Sequence, residues 1–172
     1  GDGIDDLGEL GSVRQLDDFV WYDTSVGVNI LAAEVDSAID DKVWTVDLHY
    51  PAVIGGKVYD RISIDSNALV YLIPSNGIAV TQSRYSYNSL PASSLAQTNI
   101  AVAVNWRDMN LNRQSGSQVR VAHIASNNCT VVEFVNLERR SYPSDRMTAQ
   151  VVVPGGTDGT ILVNYLSLTE NL

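Results

Sequence analysis

Residues 99–109 read Asn-Ile-Ala-Val-Ala-Val-Asn-Trp-Arg-Asp-Met, an apolar β-rich run that ends in a tryptophan and a charged pair. Ile and Val separated only by Ala suit a strand buried on both faces, with bulky side chains on one face and small ones on the other. The run therefore reads as the central strand of an all-β domain. Trp106 is expected to cover the end of the core where the strand leaves it, while Arg107 and Asp108 turn to solvent.

Outward from that run, from Phe19 on, the chain alternates short apolar stretches with turn residues at a spacing that suits an all-β domain. Residues 26–33 read as a strand. In residues 42–48, Trp44, Val46 and Leu48 are expected to face inward, with Val43, Thr45 and Asp47 on the other side. Tyr50-Pro51 is expected to end that strand, and Gly55-Gly56 to turn the chain into residues 58–65, where Val58, Ile62 and Ile64 share a face. Ser66-Asn67 is a tight turn into residues 68–73, and Pro74 with Ser75-Asn76-Gly77 closes that hairpin. Downstream, residues 118–125 alternate, with Val119, Val121 and His123 on one face. Strands follow at 130–137, 147–153 and 160–168, and residues 154–159 read as a turn by composition. The expectation is an antiparallel two-sheet β-sandwich of about ten strands.

Length and charge narrow the function. The chain has 172 residues, 45% of them hydrophobic, which suits one well-buried core and excludes a wholly disordered chain. No apolar run approaches a membrane span, so no membrane insertion is expected. Twenty acidic residues against 11 basic ones give a net charge of −9, a field that repels nucleic acid and anionic lipid. The single cysteine, Cys129, has no partner for an internal disulfide and reads as a small core residue at a strand start. The first residue is Gly1 and no signal peptide is evident, so the chain reads as a piece of a larger protein. Residues 1–14 read as an acidic linker or truncated calcium repeat, and residues 15–172 as the sandwich.

In that acidic segment, Asp2-Gly3 followed by Glu9 matches the back half of an Asp-rich calcium loop, in which hard carboxylate oxygens hold a hard cation. Asp2, Asp6 and Glu9 are its candidate ligands, with calcium the implied cofactor. The run Gly-Asp-Gly-Ile-Asp-Asp also resembles the core of thrombospondin type 3 repeats, which string extracellular domains together.

The later segments resemble a second family. Ile100, Ala101, Trp106, Asp108 and Met109 are similar to the Ile-Ala-x-x-Trp-x-Asp-Leu strand of nidogen-like extracellular domains. Val131, Glu133, Phe134, Asn136 and Leu137 are similar to its Val-x-Glu-Trp-x-Asn-Val strand, with Phe for Trp. Gln150 to Val153, with Gly159, Ile161, Val163 and Tyr165, resembles its closing hairpin. Tyr59, Ile62, Ile64, Ser66 and Asn67 resemble its Tyr-x-x-Ile-x-Ile-x-Ser-Asn-Gly hairpin, with Ala68 at the turn glycine. An Ala there implies a different turn or strain, because Gly alone takes positive φ freely. The resemblance implies a non-catalytic β-sandwich of secreted or cell-surface proteins, used for adhesion and matrix contact. Its bacterial relatives are appended to large secreted proteins.

Residues with catalytic chemistry are sparse. His49 and His123 have no partner at metal-ligand spacing and read as structural histidines, and no nucleophile elbow or phosphate loop is present. The acidic pairs Asp5-Asp6, Asp17-Asp18 and Asp40-Asp41 read as turn residues, since strand neighbours face opposite sides. Two loops carry recognition chemistry: Tyr85 and Tyr87 beside Arg84, and Arg139 and Arg140 beside Tyr142, residue types enriched at interfaces. These residues are the candidate binding set. The expected partner is a protein or glycan on a surface or matrix, alongside flanking domains of the parent protein. A carbohydrate-binding module, or an accessory domain of a secreted hydrolase, is the alternative.

Overall fold

Alternating side chains fold this chain into two sheets stacked face to face. The computed structural model describes residues 20–36, 38–83, 100–105, 107–157 and 159–169. Twelve strands lie among these residues. They are β1 (Val28–Asn29), β2 (Ala38–Ile39), β3 (Val43–Ile54), β4 (Lys57–Asp65), β5 (Leu69–Pro74) and β6 (Ile100–Ala103), followed by β7 (Met109–Asn112), β8 (Gln118–Ile124), β9 (Cys129–Arg139), β10 (Tyr142–Pro154), β11 (Gly156–Thr157) and β12 (Leu162–Thr169). A seven-stranded sheet runs β1-β8-β9-β10-β12, with β7 on β9 and β2 on β7; a five-stranded sheet runs β11-β3-β4-β5-β6. All pairs are antiparallel except β11 with β3. The core lies between the sheets: Leu48, Ile62, Ile64, Val70 and Leu72 from one meet Val119, Val121, Val132, Phe134 and Val151 from the other.

Inward Trp44, Val46 and Leu48 are found as the alternation requires. Five expectations change. First, residues 99–109 are not a central strand: β6 is half-buried and ends its sheet among the described residues, and β7 belongs to the opposite sheet. The run is a crossover between sheets, and Trp106 lies outside the described residues. The strand buried at every position is β5.

Second, Pro51 does not end β3. The register shifts between Asp47 and Ala52, and the strand resumes to Ile54. A bulge is where a strand accommodates a residue without an N–H. Third, Val58 is 46% exposed while Tyr59 is 3% exposed and in the core. The register shift between Tyr59 and Arg61 adds a residue, so Tyr59 joins Ile62 and Ile64 on the inner face. In addition, only Val28–Asn29 of residues 26–33 is extended; Ile30–Ala33 is a 3-10 turn in which the Asn29 side chain accepts from the Leu31 N–H. Residues 154–159 are likewise more than a turn, since β11 carries the chain onto β3.

The β4–β5 turn bears out the strain expected at Ala68. Asp65 pairs with Leu69, and the Ala68 N–H donates to the Asp65 carbonyl at 3.0 Å. This is a three-residue loop whose last residue must be left-handed, and Ala68 has φ +59°. Replacing Ala68 by Gly relieves about 1–2 kcal/mol of backbone strain but removes a buried methyl worth about 0.8 kcal/mol. Ala68→Gly is therefore expected to change stability by less than about 1 kcal/mol, whereas Ala68→Val, β-branched and overpacked, should cost more than about 2 kcal/mol. Urea unfolding of the two variants checks this; a large loss in the Gly variant would mean that φ here is negative.

The outer face of the seven-stranded sheet is partly covered by the segment before β1. Gln150, fully buried, accepts from the Tyr22 N–H at 3.1 Å and donates to the Tyr22 carbonyl at 2.7 Å. It also donates to Glu133 at 3.3 Å, and Glu133 accepts from the Thr24 hydroxyl. Beneath Tyr22, Cys129 packs with Val131 and Val152, as a small core residue should. Burial pushes its thiol pKa up, which keeps it protonated.

Candidate functional site

The β9–β10 hairpin gathers the arginines. Arg139 and Tyr142 face each other across its end, with Arg140 and Ser141 as the turn. The Arg139 guanidinium sits over the Tyr142 ring, 4.3 Å from its centroid, and lies 3.5 Å from Asp145. A guanidinium on a ring face is a cation–π contact, and here it fixes the rotamer of a tyrosine that is 50% exposed. Arg140 points elsewhere. It pairs with Asp40 at 2.8 Å and Asp108 at 3.8 Å, while its N–H donates to the Asp108 carbonyl at 3.0 Å. Arg146 pairs with Glu138 at 2.8 Å and donates to Asn136 at 3.3 Å.

Three of the predicted binding residues are thus on one hairpin, but only Arg139 and Tyr142 touch. Tyr85 and Tyr87 lie outside the described residues, as do Asp2, Asp6 and Glu9. Each hairpin arginine is matched by a carboxylate, so this end of the sandwich is not a bare cationic patch. Asp40 and Asp108 converge on the Arg140 guanidinium and not on an open cleft. Burial, followed by the nearby Asp41 charge, raises the pKa of Asp40 against the opposing pull of Arg140. Paired in this way, the two carboxylates lack the open geometry of an acid–base couple.

Beside the hairpin is an open depression of about 190 Å³ lined by Asn105, Arg107, Met109, Arg139, Met147 and Leu168. Most of that volume is open to solvent; the space enclosed at its floor is about 10 Å³, room for roughly one water. Among the described residues no group of three or more His, Cys, Asp or Glu side chains is placed to hold a metal.

The fold supplies one pairing that local spacing does not show. His49, in the irregular part of β3, and His123, near the end of β8, have ring centroids 5.5 Å apart. His123 keeps the inward parity of Val119 and Val121 but lies at the exposed rim. Its pKa is lowered, first by burial and then by His49. The two residues belong to opposite sheets and are separated by most of the β-meander, so only tertiary pairing reveals them.

A family model described as NIDO related matches residues 21–171. Comparison with curated proteins and with solved structures returns no match.

Proposed function

The chain belongs to the NIDO-related family, and on that premise we propose that it is a non-catalytic recognition module of a larger secreted or surface protein, contacting a protein or glycan on a surface or matrix. Supporting this reading, a NIDO-related match suggests an extracellular module of a non-enzymatic kind. The observation that carries the reading to particular residues is the half-exposed Tyr142, held at a hairpin end by Arg139 at 4.3 Å. A rigid aromatic beside a guanidinium offers large contact area at low entropic cost, which is how interface hot spots are built. Salt pairing of the neighbouring arginines favours a selective contact over general attraction to polyanions.

Probing a panel of purified matrix proteins and an array of immobilised glycans with the chain and with Tyr142→Ala tests this. A retained ligand is expected to bind at least about tenfold more weakly to the variant, with unfolding stability changed by less than about 1 kcal/mol because the ring is half in solvent. Binding confined to glycans would favour the carbohydrate-binding alternative. Binding indifferent to Tyr142, or none to either panel, would overturn the assignment of this hairpin.

A further inference from the structure

We propose that His49 and His123 form a two-imidazole site for a divalent ion of the late first-row transition series, joining the two sheets at the rim of the sandwich. They are the chain's only two histidines. Their rings lie 5.5 Å apart between centroids at an interplanar angle of 39°. An ion bound at about 2.0–2.1 Å from one nitrogen of each ring holds the centroids roughly 4.5–5.5 Å apart. The observed centroid distance lies at the upper end of that range, and both residues are exposed, so an ion reaches them without opening the core.

The Thr130 hydroxyl bears on which His123 nitrogen is free. His123 Nδ1 is 2.9 Å from the Thr130 hydroxyl oxygen. With Thr130 accepting, the proton resides on Nδ1 and the Nε2 lone pair is left for a metal, the orienting role that outer hydrogen-bond partners play at histidine ligands. On the other side, the His49 ring packs edge-on to Tyr50, with centroids 4.8 Å apart at 74°. Tyr50 is in turn packed close to Gly155 at the sheet crossover. Each imidazole thus has a partner of its own in the fold, Thr130 for His123 and Tyr50 for His49.

No third His, Cys, Asp or Glu among the described residues completes the set. Water occupies the remaining positions, and the ligand type selects Cu²⁺, Ni²⁺ and Zn²⁺ over Ca²⁺ and Mg²⁺, which prefer oxygen. Because the ligands come from β3 and β8, a bound ion links the two sheets. Its binding free energy then adds to the stability of the folded state.

The test is calorimetric titration of nickel chloride into the untagged chain at neutral pH, with thermal unfolding followed with and without the ion. The expected result is one ion per chain and a raised melting temperature. His49→Gln and His123→Gln should each weaken binding at least tenfold, Thr130→Val should weaken it less, and excess calcium should not compete. Absence of binding, or an isotherm that survives either histidine change, would overturn the proposal.

Discussion

Gly155→Ala is expected to lower stability by about 3 kcal/mol or more, although it adds one methyl group at a position with no positive φ. Gly155 lies between β10 and β11, where the chain leaves one sheet and joins β3 of the other. A Cβ there would come 2.4 Å from the Tyr50 Cβ and 2.8 Å from the Asn128 carbonyl oxygen. Neither atom is at the end of a flexible side chain. Moving either means moving the β3 bulge or the turn before β9, and the Gly155 N–H already donates to that same carbonyl at 2.7 Å. Gly56→Ala is the control: its φ is +74° but a Cβ would meet nothing within 4 Å, so backbone strain alone should cost about 1 kcal/mol. Urea unfolding compares the two, and the Gly155 variant should also melt roughly 6–12 °C lower. Equal effects would mean that the crossover is looser than the close packing of Tyr50 and Asn128 requires.

How far the sequence could be read depends on where the strands stay regular. Trp44, Val46 and Leu48 lie on an uninterrupted stretch of β3, and their inward face follows from period-two alternation alone. Val58 is misassigned because an extra residue between Tyr59 and Arg61 shifts the phase, and a one-residue slip exchanges the faces. Residues 99–109 mislead for a different reason. Ile, Val and Ala in alternation suit a half-buried edge strand as well as a central one, and composition does not say which sheet the far end joins. In the recognition set, Arg139 and Tyr142 were legible because hairpin neighbours are close in sequence. The His49–His123 pair was not, since its spacing is set by how two sheets stack.

The residues that carry the family resemblance account for the fold more than for a site. The three-residue step from Tyr59 to Ile62 is the register shift in β4, and the similar step from Phe134 to Leu137 spans an irregularity in β9. Asn136 sits there with φ +52°, a conformation asparagine tolerates better than most residues. Its side chain donates to the Ser115 carbonyl at 2.6 Å. Glu133 and Gln150 hold down the segment at Tyr22 and Thr24. Arg139 and Tyr142 lie outside these motifs. Membership of the family therefore identifies the architecture before it identifies a partner.

Asn67→Ala is expected to cost about 3–4 kcal/mol, because a single fully buried side chain joins the two sheets through polar atoms that have no access to water. Its Oδ1 accepts from the Met109 N–H at 2.7 Å, at the first residue of β7, where the crossover reaches the opposite sheet. Its Nδ2 donates to the Ser83 hydroxyl at 2.9 Å and to Asp41 at 3.3 Å. Ser83 donates onward to Asp65, which also accepts from the Asn67 N–H at 2.9 Å. The amide orientation follows from these partners: the Met109 N–H needs an acceptor, and the Ser83 oxygen, its proton given to Asp65, needs a donor. Truncation to Ala therefore leaves a buried N–H without its acceptor and a hydroxyl without its donor, and each such loss costs about 1–3 kcal/mol. Asn67→Asp is nearly isosteric and should be worse. It keeps the acceptor for Met109 but turns the donor into a second acceptor that faces Asp41 and adds a negative charge near Asp65. The order of stabilities should be wild type, then Ala, then Asp at neutral pH. An Ala variant as stable as wild type would mean that water, and not Asn67, satisfies the start of β7.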